Sequence, residues 1–139
     1  MIDLSAMKGI SVDPERRVAT AQPGLRIGGI IVATERHGLV SPTGTVSDTG
    51  LAGLTLGGGY GWLSGKYGLA VDNLIGAEVV TADGRVLRAS ESEHPNLFWA
   101  PPGAAVMGPE NRTADSNSYS TPSIVIGPPQ YQDRPSTEL

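Results

Sequence analysis

Apolar and polar residues alternate in short stretches through the first third of the chain, which predicts paired β-strands followed by a helix. Residues Ile10–Asp13 and Arg17–Ala21 alternate and are separated by a turn, so they are close enough in sequence to form a hairpin. Leu25–Arg36 carries an apolar stripe at helical spacing, and His37-Gly38 is a typical helix stop. We also expect a short strand at Ile2–Leu4.

A second hairpin is predicted after residue 73. Leu74–Ala82 has a β-rich centre, Asp83-Gly84 is a strong turn signal, and Arg85–Ala89 returns along the first strand. Asn96 is a suitable cap for a short helix that runs to Trp99. The pattern as a whole predicts an α+β fold in which β-hairpins flank a helix and a Gly-rich loop.

Composition changes sharply near Ala100. Residues 101–139 hold seven of the 11 prolines and only three of the 19 glycines. Their one apolar run, Ile124–Ile126, is enclosed by Pro122 and Pro128-Pro129. Such a segment buries too little apolar surface to offset the entropy of ordering. We therefore predict one domain over 1–100 and a disordered tail over 101–139.

Charge and cysteine content exclude several classes of function. The net charge is −4 and the ten basic residues are scattered, which argues against a nucleic-acid partner. The absence of cysteine excludes disulfides, thiolate metal sites and a cysteinyl cofactor link. No His and carboxylate pair has metal-ligand spacing, so no metal is expected. Since neither a signal peptide nor a membrane-spanning run is evident, a cytoplasmic location without membrane contact is the default expectation.

The segment Thr43–Gly61 is the most informative part of the sequence. Seven glycines fall within Pro42–Gly61, where they would weaken an ordinary strand or helix. Glycine permits a ligand to approach the backbone closely, and successive amides at a turn or helix start bind anions. Hydroxyl side chains recur at every second position, at Thr43, Thr45, Ser47 and Thr49. The combination suits a pyrophosphate, whereas a flexible linker would lack the interspersed apolar residues.

Two common nucleotide motifs do not fit this segment. A P-loop requires Gly-Lys followed by Ser or Thr, but Gly65-Lys66 is followed by Tyr67. A dinucleotide fingerprint of the Rossmann type requires a second glycine where Val46 stands after Gly44.

The blocks of the sequence resemble FAD-linked oxidases of the berberine-bridge-enzyme type, within the vanillyl-alcohol oxidase and p-cresol methylhydroxylase (PCMH) class. The resemblance covers about residues 2–100 and is specific because several spaced blocks agree in order. These blocks are Ile2–Ser5, Pro42–Ser47, Gly50–Gly59, Gly61–Leu63, Lys66–Leu69, Asp72–Leu74, Ala77–Gly84 and Asn96–Ala100. The resemblance implies a partial PCMH-type FAD-binding domain and FAD as cofactor.

The same resemblance implies which residues contact FAD. Those expected near the pyrophosphate are Gly44, Thr45, Ser47, Gly50 and Gly53, and Val46, Thr49 and Leu54 are also expected to contact the cofactor. Those expected nearer the flavin ring are Gly58, Gly59, Tyr60 and Gly61, with Val79 and Val80 on a strand lining the site. Tyr60 and Tyr67 could stack near the flavin or fill the core.

Departures from the family pattern suggest an incomplete enzyme. Many relatives attach FAD through a His in an Arg-x-Gly-Gly-His loop, which would precede Ile2, and some add a Cys link at the position of Val46. After Ala100 a Gly-rich Asn-Phe-Gly-Val-type segment is expected, but Pro101-Pro102 follows, so a frameshifted tail is one hypothesis. No catalytic residue can be named. We expect a fragment of an FAD-dependent oxidoreductase that is inactive alone; a non-catalytic binding module or a nonfunctional gene fragment is the alternative.

Overall fold

The computed structural model describes residues 3–99 and 120–127, which form an antiparallel sheet with short helices. The strands of this part are β1 (Ile10–Asp13), β2 (Val18–Ala21), β3 (Leu74–Val80), β4 (Val86–Ala89) and β5 (Ser120–Ile126). The helices are α1 (Ile27–Glu35), α2 (Leu51–Leu56), α3 (Ser64–Tyr67) and α4 (Pro95–Trp99), with a 3₁₀ turn at Val71–Asn73. The strand order is β1-β2-β5-β3-β4.

Both predicted hairpins are confirmed. β1 pairs with β2 from Ile10 opposite Ala21 to Asp13 opposite Val18. β3 pairs with β4 in the same way, and the Asp83-Gly84 turn that joins them has Gly84 at a φ of 81°. That left-handed conformation favours glycine, which is why the turn signal was readable in the sequence.

Helix α1 also agrees with its predicted position. Its inner face buries Ile27, Ile30 and Thr34, and the Thr34 hydroxyl donates to the Ile30 carbonyl at 3.0 Å. The chain turns away at Gly38, whose φ is 68°, as a helix stop requires. Helix α1 therefore covers part of the sheet with its apolar stripe.

Strand β5 changes the picture of the tail. It lies between the two hairpins and pairs antiparallel with both β2 and β3. The expectation of disorder therefore does not apply to residues 120–127. The apolar run Ile124–Ile126 finds backbone partners on both sides, which composition alone could not reveal. For 101–119 and 128–139, outside the described residues, disorder and the frameshift remain predictions.

The predicted strand near the N-terminus and the predicted helix near residue 96 have different outcomes. Asp3 and Leu4 belong to no strand, and the Met7 amide instead donates to the Leu4 carbonyl at 2.9 Å in a turn. The predicted strand at Ile2–Leu4 is thus wrong for the two residues that are described. The short helix to Trp99 is confirmed as α4, but it begins at Pro95, so Asn96 lies in its first turn and the predicted cap at Asn96 is wrong.

The core lies between the sheet and the helices. It is composed of small and branched apolar side chains, with one aromatic ring. These residues are Ala19, Ala21, Leu25, Ile27, Ile30, Leu51, Leu74, Ala77, Val79, Ala89, Phe98 and Ile126. Among the described helices, none combines the length and apolar content needed to cross a bilayer.

Candidate functional site

The Gly-rich segment Thr43–Gly61 folds as a loop (Thr43–Gly50), helix α2 and a turn (Gly57–Gly61). The loop is fixed to the start of α1 by backbone hydrogen bonds. The Ile27 amide donates to the Thr49 carbonyl at 3.0 Å, and the Gly28 amide donates to the Ser47 carbonyl at 2.8 Å. Because α1 is anchored in the core, these bonds give the exposed loop a defined shape.

The two ends of the Gly-rich segment meet. A Cβ atom on Gly61 would overlap the carbonyl oxygen of Thr43, and both residues are buried. The Gly61 amide donates to the Ser64 hydroxyl at 2.9 Å, which fixes the start of α3 beside this contact. Glycine is therefore required at position 61, because the backbone at Thr43 leaves no room for a side chain there.

Leu54 accounts for two further glycines. Its side chain occupies the space that a Cβ on Gly44 would need, and a Cβ on Gly59 would lie 2.6 Å from the same side chain. The same added Cβ on Gly59 would lie 2.5 Å from the Cβ of Ala70. Leu54 thus packs within the segment, and its predicted role as a direct ligand contact stays a prediction.

The turn after α2 requires glycine for its backbone conformation. Gly58 and Gly59 have φ values of 104° and 76°. Their carbonyls accept hydrogen bonds from the amides of Val71 and Ala70, both at 2.9 Å. The turn is therefore tied to the segment that leads into β3.

Gly50 and Gly53 have no such internal explanation. Both are exposed, their φ values are not in the left-handed region, and a Cβ at either position would meet no heavy atom within 4 Å. No side chain of the described residues caps α2. The Leu51 amide donates to the Leu25 carbonyl at 2.9 Å, whereas the amides of Ala52 and Gly53 have no partner among the described residues and are left to solvent or a ligand. This open backbone is what a pyrophosphate would use, so the residues present fit an FAD cofactor.

Most of the loop residues predicted to contact FAD are accessible, whereas Gly44 is buried. The side chains of Thr45, Val46 and Ser47 are exposed, and Thr49 is half-buried between the loop and α1. Val46 is 59% exposed and offers no nucleophilic atom. The structure thus brings Thr45–Gly50 and Gly53 to one accessible stretch of the chain.

Two aromatic residues at the end of the Gly-rich segment are exposed. Tyr60 is 76% exposed and Trp62 is 86% exposed. A core role for Tyr60 is therefore wrong, and its stacking on the flavin stays a prediction. Tyr67 is half-buried, with the Lys66 Nζ atom 5.1 Å from its ring centre.

Val79 and Val80 lie on β3, outside the Gly-rich segment. Val79 is fully buried in the core, whereas Val80 is half-buried near the hairpin end. The Val79 side chain is therefore engaged in packing. A ligand contact at these two positions stays a prediction.

A cavity of about 310 Å³ lies apart from the predicted contacts. It is lined by the end of α1, the stretch Gly38–Pro42, Tyr67 and residues of strands β1, β2 and β5. Ser41 lines it, with a buried hydroxyl that has no hydrogen-bond partner among the described residues. The contacts predicted in the Gly-rich segment and on β3 do not line this cavity, whereas Tyr67, which could stack on the flavin or fill the core, does.

The charged groups at the loop are Arg26 and Asp48, which form an ion pair across the start of α1. Sequence analysis missed this pair because its members are 22 positions apart.

A lowered carboxyl pKa occurs elsewhere, at Asp83, where hydrogen bonds from the Thr81 hydroxyl and then the Arg85 guanidinium stabilise the charged form. Both histidines, His37 and His94, are exposed, and the His94 ring contacts the Arg88 carbonyl at 2.9 Å.

Comparison with known proteins decides the family. Residues 1–90 match the family described as FAD binding domain. The chain belongs to this family. The resemblance to berberine-bridge-type FAD-linked oxidoreductases and the partial PCMH-type fold are thereby confirmed, and FAD is the cofactor.

Relatives of the chain are FAD-linked oxidoreductases. The FAD-linked oxidoreductase pgmH of Aspergillus terreus is 47% identical over 104 residues, covering 75% of this chain and 21% of that protein. The (R)-6-hydroxynicotine oxidase of Paenarthrobacter nicotinovorans is 41% identical over 104 residues, covering 75% and 23%. The chain thus spans less than a quarter of the length of these two relatives.

Solved structures give the same answer for the fold. The 6-hydroxy-D-nicotine oxidase of Arthrobacter nicotinovorans superposes with a TM-score of 0.79 and 35% identity, covering 90% of this chain and 25% of that chain. The xylooligosaccharide oxidase of Myceliophthora thermophila has a TM-score of 0.74 and 36% identity, covering 91% and 25%. This FAD-binding domain is therefore of the kind found in FAD-linked oxidases.

Proposed function

We propose that the exposed loop and the start of α2 hold the FAD pyrophosphate, and that the turn Gly57–Gly61 faces the flavin. The observation that carries this assignment is the open backbone at Gly50 and Gly53, which no packing contact among the described residues explains. The hydroxyls of Thr45 and Ser47 are exposed beside it and can donate to phosphate oxygens. The intact protein would be an FAD-dependent oxidoreductase acting on a small molecule.

The chain's own residues perform binding and orientation. The backbone bonds from α1 hold the loop, and the Gly58–Gly59 carbonyls hold the turn against the residues before β3. When bound, the flavin supplies the redox chemistry by accepting a hydride from a substrate carbon. Val46 has no group that could bond to the flavin covalently, so attachment at this position is non-covalent.

FAD titration of the full 139-residue chain tests the assignment. Saturable quenching of flavin fluorescence is expected, and ADP should compete because it shares the diphosphate, whereas riboflavin should not. Acid precipitation should leave the flavin in the supernatant. Absence of saturable FAD binding would overturn the proposal. Competition by riboflavin but not by ADP would show that the chain contacts the flavin ring and not the diphosphate.

Turnover of the chain alone is a separate question. We expect no peroxide formation above that of free FAD with a panel of sugars and alcohols, because no general base is identified and little of the flavin would be shielded from water. Turnover would contradict this expectation. FAD binding without turnover in any longer protein carrying this domain would instead favour a non-catalytic binding module.

A further inference from the structure

Arg26 joins α1 to the loop through its side chain. It stands directly before α1 and is opposite Gly50 in an isolated β-bridge. Its Nη1 atom donates to the Asp48 carbonyl at 3.0 Å and forms an ion pair with the Asp48 carboxylate. One guanidinium group therefore binds both the main chain and the side chain of the same loop residue.

The negative charge of Asp48 opposes anion binding at the loop. Its side chain is 83% exposed and lies between Ser47 and Thr49, within the loop assigned to the pyrophosphate. A carboxylate and a diphosphate repel one another, and the repulsion is strongest where other charges are scarce. The loop would therefore bind FAD poorly if this charge were left unpaired.

We propose that Arg26 is a positioning residue that prepares the loop for a diphosphate by neutralising Asp48. This inference rests on the proposed function. The geometry supports neutralisation because the guanidinium is turned to Asp48 by two contacts, one of which fixes the carbonyl. Arg26 then acts on the ligand through Asp48.

A charge-compensation series on the full chain tests the proposal. FAD dissociation constants are measured for the wild type, Arg26→Gln, Asp48→Asn and the double variant, at low and high salt. Since exposed charge interactions are modest, Arg26→Gln should weaken binding about threefold to tenfold at low salt and less at high salt. Asp48→Asn alone should bind as tightly as the wild type or more tightly.

The double variant is decisive. Its affinity should return to within about twofold of the wild type, because neither charge remains. Equal weakness in Arg26→Gln and the double variant would overturn neutralisation, as would wild-type affinity in Arg26→Gln. Arg36→Gln, at the opposite end of α1, is the matched control and should change nothing.

Folding and function are separated by two further measurements. Melting temperatures show whether each variant is folded, and Arg26→Lys, which keeps the charge, should retain most of the affinity if Arg26→Gln does not fold. If Arg26→Lys is folded but loses the threefold to tenfold in affinity expected of Arg26→Gln, the positive charge is not what matters, and the proposal is contradicted. If the wild type itself binds no FAD, the proposed function fails first, and the series is not interpreted as a test of Arg26.

Discussion

Replacing Gly53 with alanine should make the protein more stable and its FAD binding weaker. Gly53 lies in the first turn of α2 and is exposed, and beyond its own helix an added Cβ would meet no heavy atom of the described residues within 4 Å. Fold and ligand therefore place opposite demands on this residue. Replacing a glycine that is needed only for folding would instead lower both the stability and the FAD affinity.

The two magnitudes follow from separate terms. Alanine is favoured over glycine in a helix by roughly 0.5–1 kcal/mol, which corresponds to a rise in melting temperature of about 2–8 °C for a domain of this size. A methyl group forced into a close-packed contact costs about 1–3 kcal/mol, or about fivefold to a hundredfold in the FAD dissociation constant.

Two matched glycines provide the controls. Gly65 is exposed in α3 and also has open space around its Cβ position, so Gly65→Ala should leave FAD affinity unchanged. Gly61→Ala should lower stability by about 1–3 kcal/mol, because its Cβ would overlap the Thr43 carbonyl. Thermal melts and FAD titrations on the same preparations give both quantities.

The reasoning is refuted by a specific result. If Gly53→Ala raises the melting temperature and binds FAD as tightly as the wild type, the backbone at Gly53 does not contact the cofactor. If instead it lowers stability as Gly61→Ala does, the open space beside α2 is not open in solution.

Three further predictions concern the scaffold, each read by urea unfolding. Thr55→Val should raise the free energy of unfolding by about 1 kcal/mol, because the fully buried hydroxyl has no partner among the described residues; a loss would reveal a hidden one. Asn73→Ala should lower it by about 2–4 kcal/mol by removing bonds to the carbonyls of Tyr67 and Leu69, whereas exposed Asn96→Ala should cost less than about 0.5 kcal/mol. Deleting 120–139 should abolish cooperative unfolding, while deleting 128–139 removes no described strand; equal stability of both deletions would show that β5 is dispensable.

Local signals determined much of this protein from its sequence. Asp83-Gly84 and Gly38 mark a turn and a helix stop because their backbone conformations favour glycine, and the alternation around them sets the strands. The ordered blocks around Thr43–Gly61 sufficed to identify the FAD-binding family. The turn and helix-stop signals lie within a few neighbouring positions, and each block of the resemblance is itself a short continuous run.

Tertiary structure decided which glycines serve the fold and which remain for the cofactor. Gly44, Gly59 and Gly61 are needed because distant parts of the segment pack against them, and Gly50 and Gly53 stand out only once that packing is known. In the sequence all five look alike, since the space around a missing Cβ depends on residues elsewhere in the chain.

Long-range pairing likewise lay beyond the sequence pattern. Strand β5 contains Pro122 and is followed by Pro128-Pro129, yet it occupies the centre of the sheet because it pairs with the edges of both β2 and β3. The Arg26–Asp48 pair forms because the Gly-rich loop folds back on the start of α1. Neither contact has a signature in composition or periodicity, because hydrogen bonds and ion pairs form between whichever groups the completed fold brings within reach.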